Sequence, residues 1–110
     1  MNMKSVDNVI KRGSTNRSVF KLPESIVLED IKVLILYYQN RTIALRKETA
    51  DITINADEHT ISTELSESET LKFVAGTAEL EVCIKYPSGH TLRSHIYRVM
   101  IEDTLLNREV

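Results

Sequence analysis

The chain has 110 residues, 42% of them hydrophobic and 27% charged, with a formal net charge of −2. That length suits one domain, and surface scaling has about two-thirds of the unfolded chain's surface buried on folding, enough for a core without staples. No apolar run nears the ~20 residues of a membrane helix, MNMKSVDNVIKRG holds no signal-peptide stretch, and the lone Cys83 excludes an internal disulfide framework or a cysteine-based zinc cluster.

The chain carries 11 Ile, 9 Val and 10 Thr against 5 Ala, with three Gly and two Pro. Stiff β-branched side chains suit a pleated, half-buried surface, so a mostly β fold with one helical turn is expected. Charge divides along the chain. Residues 1–21 carry Lys4, Lys11, Arg12, Arg17 and Lys21 against Asp7 alone, whereas the remainder is net acidic. Residues 1–16 therefore read as a basic arm on an acidic body. Met3, Val6 and Ile10 are spaced for one side of a short helix there, although isolated helices of that length are marginal.

Ser18 to Leu22 predicts a first strand with Phe20 and Leu22 on one face, ended by Pro23. Ile31 to Tyr38 is the most apolar run. Ile31, Val33, Ile35 and Tyr37 share one face, and Leu34, Leu36 and Tyr38 the other. Such a run is buried on both faces, or half-buried with its second face at a subunit contact. Val33 and Ile35 are assigned to the core with Leu80, Val82 and Ile84. Gln39–Thr42 is a turn, and Thr42–Lys47 returns with Ile43 and Leu45 inward.

Asp51–Asn55 and His59–Leu65 read as a hairpin around Asn55–Glu58, with Ile61, Thr63 and Leu65 in register. Ser66-Glu-Ser-Glu69 has capping-box spacing and opens a short helix from Glu67 to about Phe73, closed off by Gly76. Thr77–Tyr86 is a long strand with Ala78, Leu80, Val82, Ile84 and Tyr86 on one face. Pro87-Ser88-Gly89 is a turn, and Thr91–Ile101 returns antiparallel as one strand. Residues 103–110 are a tail that frays or docks on a neighbour. The division expected is arm 1–16, β-sandwich 17–102 and tail 103–110. About seven strands make an antiparallel, immunoglobulin-like β-sandwich, with a small barrel as the alternative.

Chemistry is sparse. His90 and His95, five apart in a strand, point to opposite faces and share no ion without a bulge; His59 lies in another hairpin. Cys83 with a histidine and Asp51 or Asp57 is the one drawable thiol triad, but it sits mid-strand between Val82 and Ile84, as structural thiols do. Glu58, Glu64, Glu67 and Glu69 lack the glycine a calcium loop requires, and Glu69 has a capping role instead. No phosphate loop, dinucleotide fingerprint or nucleophile elbow is present. Neither an enzyme nor any catalytic, cofactor or metal residue is expected. Lys11, Arg12 and Arg17 form the basic patch, without the aromatics that stack on single strands, so nucleic acid is disfavoured; the arm is expected either to meet an acidic protein surface or to be a disordered tail.

RGST with VFKLP, the apolar strand ending YYQN, LSESETLKFVAG and the EVCIKYPSGHTLRSHIYRV hairpin together resemble small proteins encoded in the structural-gene clusters of tailed bacteriophages and prophages. Arg12-Gly13-Ser14-Thr15 and Leu65 to Leu71 carry the pattern most clearly. More loosely, the chain resembles the N-terminal sandwich domain of upper baseplate proteins. The resemblance implies a structural or accessory virion component of head, tail or baseplate. Its partners would be other virion proteins and copies of itself, and its location the virion or, during assembly, the infected cytoplasm. A free-standing sandwich binding a host surface or carbohydrate is the alternative; the absence of Trp counts against it.

Overall fold

The computed structural model describes the backbone of Lys4–Ser5 and all of Val9–Val110. The chain is an all-β sandwich. Ten strands are described: β1 (Lys4–Ser5), β2 (Val9–Lys11), β3 (Asn16–Lys21), β4 (Val33–Asn40), β5 (Ile43–Glu48), β6 (Thr53–Asn55), β7 (Thr60–Leu65), β8 (Gly76–Lys85), β9 (Thr91–Arg93) and β10 (Tyr97–Glu102). One helix, α1 (Glu67–Lys72), precedes β8. The smaller sheet runs β1-β3-β7-β6; the larger runs β2-β10-β8-β4-β5, with β9 also on β8. The count exceeds the seven expected because short strands edge both sheets. The pairing is antiparallel except where β2 lies parallel to β10.

Alternation places the core. Leu34, Leu36 and Tyr38 of β4 and Ala78, Leu80, Val82 and Ile84 of β8 face Phe20, Leu22, Ile61 and Leu65 across the sandwich. The expected assignment of Val33 and Ile35 to this core is corrected: they lie on the outward face of β4, partly exposed, with Tyr37. Both faces of the run are apolar, so periodicity left the choice of face open. Asn40, two residues beyond Tyr38 on the inward side, decides it. Its side chain is buried, receives Val74 N–H at 2.6 Å and donates to Thr77 O at 3.0 Å. A buried amide with both ends partnered pins the loop after α1 to the end of β4.

Residues 91–101 do not form one strand. Arg93 pairs with Cys83, whereas Tyr97 pairs with Leu80, so three residues, 94–96, stand opposite two. This is a bulge. The Ser94 hydroxyl accepts from Val82 N–H at 2.8 Å and donates to His95 O at 2.9 Å, replacing the ladder bond that the extra residue removes. The slip reverses the alternation. Val99 and Ile101 turn into the core, and Ile96, Arg98 and Met100 turn out.

The arm expected over residues 1–16 is corrected for residues 9–16; Met3 and Val6 lie outside the described residues. Ile10 pairs with Ile101 and is 3% exposed. Asn16 begins β3, paired with Leu65. Burial of a β-branched side chain in a sheet supplies what a free helical turn lacks.

Asp51–Asn55 is likewise shortened. Thr49–Asp51 form a 3-10 turn, and the Thr49 hydroxyl accepts from Leu34 N–H at 2.9 Å, carrying the chain from the large sheet to the small one. The capping box forms as expected. Ser66 Oγ accepts from Glu69 N–H, and Glu69 accepts from Ser66 N–H.

Candidate functional site

The residues drawn from the sequence as possible chemistry are spread apart. His59 turns its ring onto Pro23 O at 2.7 Å, with its backbone at φ 57° in the β6–β7 turn, and ties that turn to the loop after β3. His90 stacks beside Tyr86 at the β8–β9 turn, and His95 sits exposed in the bulge. Cys83 lies on the outward face of the large sheet. Burial raises its thiol pKa against the pull of Arg93, and its Sγ stands 3.7 Å from Glu81 Oε1. Asp51 and Asp57 flank β6 in the other sheet. Among the described residues no histidine or aspartate joins the thiol, and no group of three His, Cys, Asp or Glu side chains with metal-site geometry occurs.

The glutamates separate as well. Glu58 and Glu64 are exposed, Glu64 standing opposite Arg17 in the ladder. Glu67 Oε2 accepts from Val110 N–H at 2.9 Å. Burial alone would raise the Glu69 carboxyl, but Lys47 at 2.9 Å and the Ser66 amide outweigh it and hold the group below its usual range.

Arg12 is not part of an open basic patch. Its side chain is 13% exposed and spent inside the fold. Nε donates to Phe73 O at 2.6 Å, while Nη2 donates to Leu71 O at 3.1 Å and to Asn107 Oδ1 at 2.7 Å. Nη1 meets Asp103 Oδ1 at 2.6 Å. The last carbonyls of α1, otherwise orphaned, are thereby satisfied. Beside it Thr70, fully buried, accepts from Gly13 N–H at 3.0 Å and donates to Ser14 O at 2.8 Å. Gly13 has φ +79°, and an added Cβ would lie 3.4 Å from Leu71 Cδ2. Segments 12–15 and 65–71 therefore pack on one another. Sequence reading treated Arg12 as surface charge. Its one cue was the Gly13 beside it, which implied a tight turn and hence a close neighbour.

The outward face of the large sheet presents Val33, Ile35 and Tyr37 from β4, Ile96 from the bulge and Met100 from β10; Ile96 is 57% exposed and Met100 52%. Tyr37, Gln39, Glu79, Glu81 and Ile96 line a dimple of about 200 Å³. Ion pairs lie among these groups: Arg93–Glu81 and Arg46–Glu48 at 3.2 Å, and Arg98–Glu79 at 3.9 Å. Apolar residues and ion pairs are thus interspersed over this face. The Ile96 and Met100 contribution was invisible in the sequence because it depends on the bulge.

Among the described residues no helix is long and apolar enough to cross a membrane. No protein-family model matches the chain, and no curated protein matches it significantly.

Proposed function

We propose that this chain is a structural or accessory component of a tailed-phage particle, acting through protein–protein contacts and without catalysis. The observation that carries the reading is the outward face of the large sheet. Val33, Ile35, Tyr37, Ile96 and Met100 offer more apolar surface than a sheet facing only water requires, and three of them belong to the outward side of the doubly apolar 31–38 run. Other particle proteins are its partners, and the virion its final location. The packing of residues 12–15 on 65–71 adds support, since it gives the resemblance a common structural cause.

Quantitative mass spectrometry of purified particles tests the reading. The chain is expected at a fixed copy number per particle that survives high-salt washing. Absence from particles contradicts it. Absence combined with binding of the purified protein to host envelopes would favour the host-surface binding module instead.

A further inference from the structure

The two poles of the sandwich carry complementary features. Strand β8 runs the length of the large sheet, about 33 Å for its ten residues. At its Gly76 end the chain leaves β10 and passes into the tail. Arg12 holds both Asp103 and Asn107, so Leu105 and Leu106 form a short bow between two anchored points. Val110 N–H is fixed on Glu67 beyond them. The bow presents Leu105 fully exposed and Leu106 48% exposed. An apolar tip held by an internal arginine loses little entropy when it docks.

At the opposite end of β8, past Lys85, an open groove of about 640 Å³ lies between the β8–β9 turn and the loop before β4. Val27, Tyr86, Pro87 and Leu92 supply its apolar lining, and Glu29 and Asp30 its charge. The Tyr86 hydroxyl donates to Val27 O at 2.7 Å, which fixes the two walls together before any ligand arrives. Glu29 and Asp30 are exposed and enter no ion pair among the described residues; neither does Arg108, which follows the leucine tip by two residues. The tip cannot reach the groove of its own chain, because the length of β8 separates them.

We propose that the occupant of this groove is a second copy of the chain, whose Leu105-Leu106 tip enters it with Arg108 facing Glu29 and Asp30. The contact is head-to-tail. It joins different surfaces of the two copies and so propagates into a ring or a row rather than stopping at a dimer. It deepens the assembly reading above and rests on it. Two leucines and one charge cluster make a small contact, with affinity in the range of about 10 μM to 1 mM, which repetition around a particle strengthens.

Sedimentation velocity on the purified chain, from about 1 μM to about 1 mM, tests it. Wild type is expected to sediment faster as concentration rises. The double variant Leu105→Asp, Leu106→Asp, altered only where side chains are exposed, is expected to stay monomeric, as is Val27→Asp. Mixing the two variants is expected to restore a 1:1 complex and nothing larger, since one keeps an intact groove and the other an intact tip. Arg108→Glu is expected to weaken association about two- to five-fold, with partial rescue by Glu29→Arg. A wild type that remains monomeric at the highest concentration overturns the proposal, as does association that both variants retain. Such results leave the particle-bound copy number untouched, so the assembly reading fails or stands on its own measurement.

Discussion

Arg12 Nε donates to the carbonyl of Phe73 at 2.6 Å, so a residue near the start of the chain holds the exit of a helix 61 positions later. The same guanidinium reaches the tail through Asp103 and Asn107. The Thr104 amide and Arg12 together keep the Asp103 carboxyl below its usual range.

Arg12→Ala should therefore destabilise the fold by about 2–3 kcal/mol, because two helix-end carbonyls lose a charged donor. Arg12→Lys should recover only part of this, since an ammonium cannot span the same fork of acceptors. Deleting residues 1–12, which also removes Ile10 from the core, should lower the unfolding midpoint more than either substitution. Chemical denaturation of the four proteins checks the order. An unchanged midpoint on deletion would return residues 9–12 to the status of a detachable arm.

Tyr38 is a buried phenol whose hydroxyl has no hydrogen-bond partner among the described residues. The Ser18 hydroxyl comes near it from the facing sheet but donates to Asn16 Oδ1 at 2.9 Å. Burial pushes the Tyr38 pKa up to about 12, partly offset by Ser18. Tyr38→Phe should be neutral, or stabilising by up to about 1 kcal/mol, because it removes an unsatisfied buried group. The raised pKa favours the protonated phenol in the folded state. Its contribution is complete below the unfolded pKa of about 10 and is lost as pH rises toward 12. Stability measured between these values should fall less steeply for Tyr38→Phe than for wild type. Equal slopes would mean that the hydroxyl is solvated.

Ser94 tests the bulge. Ser94→Ala leaves Val82 N–H buried without an acceptor and should cost about 1–3 kcal/mol. Ser94→Thr, which keeps the hydroxyl, should cost less. Thermal unfolding distinguishes them, and two equal losses would show that volume, not the hydrogen bond, governs the position.

The legible parts of the fold were those where one local signal had one meaning. Ser66 and Glu69 stand at capping-box spacing, and the box formed. Ala78, Leu80, Val82 and Ile84 alternate strictly, and all four are buried. Where two patterns competed, the sequence was silent. Val33 to Tyr38 is apolar on both faces, and the inward set was decided by the buried Asn40 amide, whose partners lie 34 and 37 residues away. Val99 and Ile101 face the core only because a serine side chain stands in for a backbone acceptor. The candidate contact face inherited both problems: its β4 half follows from the choice at residues 33–37, and its β10 half from the bulge.

The most direct test of the assembly reading concerns that face. Particles would be produced with the chain carrying Tyr37→Lys and Ile96→Lys, two exposed positions that flank the dimple on the large sheet. The copy number of the chain per particle would be measured against wild type, with the unfolding midpoint of the purified variant as control. The variant is expected to fold with a midpoint within a few degrees of wild type, yet to be depleted from particles about tenfold or more. Incorporation at the wild-type copy number would contradict it.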